Sequence, residues 1–175
     1  AFHEAIPGHH LQNALNLENE DLTLYRRFGY YTSAFGEGWA LYSERLSVEL
    51  GMAKTLFDEL GVLQSELFRS VRLVVDTGLH YKRWTREEAM DYMKKTTGMS
   101  DAEVVSEIER YIVWPGQACS YKVGMIKILD LRERAKDQMG DSFDIRDFHS
   151  AVLDHGEPPL FIVEELVDEM ISDAN

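Results

Sequence analysis

The sequence predicts an all-α protein, a single helical domain over residues 1–175. Apolar residues recur at intervals of three and four along most of the chain. Two stretches, Thr85-Arg86-Glu87-Glu88 and Ser100-Asp101-Ala102-Glu103, have the form of a capping box, a cap hydroxyl three residues before a glutamate. Strand-like alternation is scarce, and there is no repeat and no linker long enough to separate a second domain from the first.

Taken in order, a first helix is expected over residues 2–17 and a second over 32–50, with Gly51 placed as its stop. Residues 56–81 read as one long helix, or as two with a break near Gly61; Leu67, Val71, Val74 and Leu79 keep the helical interval in the later portion. Each capping box opens a further helix. Trp114-Pro115-Gly116 interrupts the pattern, after which residues 117–139 run to Gly140. A short helix over 145–153 and a last one over 159–171 complete the chain, the latter with the core stripe Leu160, Ile162, Val163, Leu166 and Met170.

Composition narrows the partners. A net charge of −13 and a pI near 4.8 argue against nucleic acid and against an anionic membrane surface, because nothing would offset phosphate repulsion. No apolar run approaches the roughly 20 residues of a membrane span. The single cysteine, Cys119, excludes an internal disulfide and a thiolate-rich metal site. The chain opens at Ala1 without a methionine or a signal peptide, which suggests a processed product or a fragment and leaves its compartment open.

The chemistry concentrates at that opening. His3-Glu4-Ala5-Ile6-Pro7-Gly8-His9-His10 holds three of the six histidines beside a carboxylate. Neutral imidazoles ligate zinc, and a glutamate next to a ligand can take the proton of a metal-bound water. The order is that of His-Glu-x-x-His with a different spacing. On an α-helix residues i and i+4 lie about 40° apart, whereas His3 and His9 would lie about 120° apart and His3 and His10 nearly in line. Pro7 and Gly8 invalidate both estimates, since a kink or bulge there returns His9 to the face of His3. We favour His9, although spacing alone does not decide it.

A third ligand is expected from a second helix. Phe35-Gly36-Glu37-Gly38-Trp39-Ala40-Leu41-Tyr42-Ser43-Glu44 offers Glu37 and Glu44, seven residues apart and on one face. Glu37 is preferred because Gly36 and Gly38 leave room for a close approach and cost helix stability if they serve no purpose. Among the arginines, Arg72 or Arg110 could hold a substrate carboxylate bidentately. Arg72 and Asp76 could equally form a helix ion pair. Gln12 could orient a ligand histidine or face water.

The segments His3–Gln12, Glu37-Gly38-Trp39-Ala40-Leu41-Tyr42, Arg72-Leu73-Val74-Val75-Asp76-Thr77-Gly78-Leu79-His80 and Pro115-Gly116-Gln117-Ala118-Cys119-Ser120-Tyr121-Lys122, with Phe148-His149 later, resemble the bacterial "domain of unknown function 885" family. That family is grouped with gluzincin-type metallopeptidases whose members are much longer. The chain is similar to the C-terminal catalytic region alone, which makes the N-terminal region of its own chain an expected partner. The resemblance implies that His3, His9 and Glu37 bind Zn2+ and that Glu4 is the general base. It also supports His9 over His10.

The expected function is therefore a zinc metallopeptidase acting on peptides or small amides. A zinc hydrolase of another amide or ester, and a catalytically silent helical metal-binding module, use the same residues. Metallopeptidases of this kind recruit a tyrosine or histidine to stabilise the oxyanion. Tyr121, just after the Pro-Gly break, is the first candidate, and His80 is the second because Gly78 leaves space beside it for a substrate or the metal helix. Gln117 and Lys122, from the Tyr121 segment, join Arg72 and Arg110 as expected substrate-binding residues.

Overall fold

The computed structural model describes residues 1–174, which are helical with no strand among them. Eight α-helices follow one another: α1 (His9–Glu18), α2 (Ser33–Glu49), α3 (Leu56–His80), α4 (Arg86–Thr97), α5 (Asp101–Val113), α6 (Gln117–Met139), α7 (Ile145–Leu153) and α8 (Leu160–Asp173). Both expected capping boxes are formed, and Thr55 with Asp58 makes a third at the start of α3. The helix α3 is continuous through Gly61, so the expected alternative of a break there falls away. A π-type turn at Tyr25–Gly29 has no counterpart in the sequence reading.

The first element differs most. Helix α1 begins at His9, and residues 2–7 form turns instead of the expected helix. Proline at position 7 has no N–H to give a helical ladder, and the backbone around it pairs across a wider turn.

Two apolar cores share α6. Its C-terminal two-thirds, with Met125, Ile128 and Leu131, packs against α2, α7 and α8, where Trp39, Tyr42, Phe148 and Val167 are fully buried. Its first turn, through Ala118, joins a second core with Val71 and Val75 of α3, Met93 of α4 and Ile108 of α5. At roughly 25 cal/mol per Å² of buried apolar surface, these large side chains provide most of the folding drive.

The α2–α6 crossing sets the position of the site. A β-carbon at Gly38 would lie 2.5 Å from the α-carbon of Gly124, and one at Gly124 would lie 1.9 Å from the Ala34 carbonyl oxygen. Glycine at both positions lets the two backbones touch. Glu37, next to Gly38, is thereby brought to Tyr121, one turn before Gly124. In contrast, Leu56, Phe57, Leu60 and Leu63 on the first half of α3 are mostly exposed. Among the described residues, no helix is long and apolar enough to cross a membrane.

Candidate metal centre

The Pro-Gly interruption is a bulge that aligns two histidines. The His9 N–H donates to the His3 carbonyl at 2.8 Å, and the His10 N–H to that of Glu4 at 3.0 Å. Each bond spans six residues where an α-helix spans four, so two extra residues are accommodated in one turn. Gly8 permits this, because a β-carbon there would sit 1.9 Å from the His3 carbonyl oxygen. Helix α2 fixes the bulge from outside: Trp39 Nε1 donates to the Pro7 carbonyl at 2.8 Å, and Ser43 Oγ donates to it at 3.3 Å.

The result is that the rings of His3 and His9 meet edge to face with centroids 5.0 Å apart. Glu37 Oε2 lies 3.4 Å from His3 Nε2 and 3.3 Å from His9 Nε2. All three ligand atoms fall within 4.8 Å of one another. His10 is exposed and stands apart from this cluster, whereas His9 lies within it.

Atoms bound about 2.0–2.1 Å from a tetrahedral zinc lie about 3.4 Å from each other. The two His–Glu separations have that length, and two imidazoles with one carboxylate are a common zinc donor set. The residues therefore fit the ion. Burial disfavours the charged form of His3, yet hydrogen bonds to Glu37 and Glu44 outweigh it and raise its pKa to about 9. Burial likewise works against ionised Glu37, but hydrogen bonds from His3, His9 and Tyr121 pull its pKa down to about 2. The two carboxylates thus hold a proton on His3, which a metal at Nε2 would have to displace.

Glu44, the other carboxylate on this face of α2, binds the far side of His3 and is not placed as a ligand. Its Oε1 accepts from His3 Nδ1 at 2.8 Å, which leaves Nε2 directed at Glu37. Ser65 Oγ donates to Glu44 Oε2 at 2.5 Å, and an Arg69 guanidinium nitrogen lies 3.7 Å from the same carboxylate. Ser65 and Arg69 carry no motif; their only signal is a spacing of four on α3. Glu4 is largely exposed, with Oε1 4.0 Å from His3 Nε2, near the cluster without joining it.

Tyr121 lies beside the cluster. Its ring stacks on His3 at 6.0 Å and 19°, and the Arg72 guanidinium covers the ring at 4.6 Å. Arg72 itself is buried, donating to Tyr111 Oη and to Glu107, both at 2.9 Å, so it braces the tyrosine and offers no face to a substrate. Lys122 is engaged by Glu66 at 2.5 Å. His80 is spent on the Tyr111 carbonyl at 2.8 Å, and the space beside Gly78 is filled by the Trp84 ring, 2.5 Å from where a β-carbon would stand. Neither a substrate nor the metal helix passes there. Gln12 is buried and donates to Glu157 at 3.0 Å, so it does not face water. Arg110 and Gln117, with Glu37, Tyr121 and Tyr31, line a cavity of about 560 Å³.

The chain matches, over residues 1–167, the family described as "Bacterial protein of unknown function (DUF885)". It belongs to that family. A crystal structure from Colwellia psychrerythraea, described as a "putative lipoprotein", superimposes on it with a TM-score of 0.95 at 54% identity, covering 98% of this chain and 29% of that one. A structure of a "putative lipoprotein of unknown function" from Shewanella oneidensis gives 0.85 at 30% identity, covering 94% of this chain and 30% of that one. The chain thus spans under a third of the length of these two proteins. No curated protein matches it.

Proposed function

We propose that this DUF885 chain carries the metal centre of a zinc-dependent hydrolase that cleaves peptide bonds. The observation that supports this reading is that Glu37 Oε2 lies 3.4 Å from His3 Nε2 and 3.3 Å from His9 Nε2, the separation of two ligands on a tetrahedral zinc, beside an open cavity. A zinc ion held there supplies a Lewis acid that lowers the pKa of a coordinated water toward ~7.

The protein's residues then divide the work. Glu4 is exposed enough to take the proton from the attacking water, whose oxygen bonds to the amide carbon, and to hand that proton to the departing amine nitrogen as the C–N bond breaks. Tyr121 donates its hydroxyl proton in a hydrogen bond to the carbonyl oxygen as charge builds there. Glu44 holds the His3 ring in the tautomer that leaves Nε2 free. As the C-terminal region of a longer enzyme, the chain would cover the exposed α3 face around Phe57 with the remaining length that its relatives carry.

The test is Glu4→Gln. The variant should bind zinc as the parent does and lose hydrolysis of a peptide substrate by about 10²-fold or more. A variant that keeps full activity removes Glu4 from the mechanism.

A further inference from the structure

The cavity beside Glu37 and Tyr121 contains an unusual charge for so acidic a protein. Its lining includes two ionised side chains, Glu37 and Arg110. Glu37 is claimed by the two histidines. Arg110 shares its carboxylate partner: Glu107 accepts from Arg72 at 2.9 Å and from Arg110 at 3.1 Å, so one negative charge serves two guanidiniums. One positive charge of the three groups is left over. Arg72 is buried, whereas the Arg110 side chain is 29% exposed and lines the cavity, so Arg110 is the guanidinium that a ligand there can reach.

Its geometry suits an anion. Arg110 Nη1 donates to Gln117 Oε1 at 2.8 Å, which holds the guanidinium at the wall and leaves the Gln117 amide N–H groups as further donors. A guanidinium fork matches a carboxylate in two parallel hydrogen bonds. Exposed Trp114 and the Tyr31 and Tyr121 rings provide apolar surface around it. The volume, about 560 Å³, suits a ligand of a few residues.

The geometry points to Arg110, with Gln117 beside it, receiving the C-terminal carboxylate of a short peptide whose scissile amide lies against Glu37 and Tyr121. The substrate class is therefore short peptides with a free C-terminus, an inference that rests on the hydrolase reading for the cleavage and on the cavity alone for the binding.

Both can be tested with trialanine, trialanine amide and Ala-Ala-Asp amide, whose only carboxylate is on a side chain. Calorimetric binding to the metal-free chain should favour trialanine at least tenfold over both amides, and Arg110→Gln should bring the ratio close to one. Arg110→Lys, which keeps the cation without the fork, should retain an intermediate ratio and serves if the glutamine variant fails to fold. In the zinc-loaded chain the same preference should govern kcat/KM. Equal binding of trialanine and its amide by the parent overturns the inference, even if both are hydrolysed and the hydrolase reading stands. Tight binding of Ala-Ala-Asp amide overturns the terminal assignment. Selective binding of trialanine with no hydrolysis keeps the carboxylate site and removes the hydrolase reading.

Discussion

The backbone N–H of His9 is bonded to the carbonyl of His3 at 2.8 Å, across a turn of six residues, and this bond places both imidazoles against Glu37. The widened turn brings the two histidines to one side, as a regular helical turn does for the histidines of His-Glu-x-x-His. Its weak point is Gly8, where any β-carbon collides with the carbonyl that accepts the bond.

Gly8→Ala should therefore break the bulge. The expected outcome is a loss of about 2 kcal/mol or more in stability and a fall in zinc affinity of at least tenfold. Thermal melts and competition with a chromogenic chelator measure the two effects. An alanine variant with parental affinity would show that the bulge does not position the ligands.

His9→Ala and His10→Ala should differ. The first removes a ring 3.3 Å from Glu37, the second an exposed side chain. Zinc affinity should drop by several orders of magnitude for His9→Ala and stay within a few-fold of the parent for His10→Ala. Equal losses would mean that the ligand assignment is wrong.

Glu44→Gln tests the carboxylate that holds His3 Nδ1. An amide can still accept through its oxygen but lacks the charge, so zinc affinity should weaken by about 10- to 100-fold without loss of fold. Circular dichroism and the chelator competition separate these effects. Unchanged affinity would reduce Glu44 to a packing role.

The pH dependence of stability has a separate origin in His149, whose Nε2 shares a 2.8 Å hydrogen bond with Tyr42 Oη. Burial first, and then Arg132, lower its pKa from the usual 6.5 to about 4. Between those values the unfolded chain binds a proton that the folded chain refuses, so stability falls as pH drops through this window and levels off below it. Discounted for partial exposure of the ring, the loss is on the order of 2 kcal/mol. His149→Gln should flatten that portion of the pH profile relative to the parent in chemical denaturation at fixed zinc. An identical slope in both would exclude His149 as its source.

Much of this was legible in the sequence, and the exceptions share a cause. Helices α2 and α6 fall within a residue of where apolar spacing and Gly51 or Gly140 put them, because their own residues decide them. The glycines beside Glu37 announced a close approach, which Gly124 supplies at Gly38. A glycine does not reveal what approaches it, however: Gly78 admits Trp84, and His80 lost its expected role with that contact. The first helix begins at His9 and not at Phe2, because periodicity assumes one residue per 100° and the Pro7-Gly8 bulge violates that assumption. Arg69, Ser65 and Tyr31 belong to no motif, and only the packing of α3 and the preceding loop around α2 brings them to the site.

Anomalous diffraction at the zinc edge from crystals of the reconstituted chain shows most directly whether His3, His9 and Glu37 hold zinc. One strong peak per chain is expected about 2.0–2.2 Å from His3 Nε2, His9 Nε2 and a Glu37 oxygen, with Glu4 and Tyr121 facing it. A chain that takes up no zinc, or a peak ligated by His10 or Glu44 in place of these residues, would contradict it.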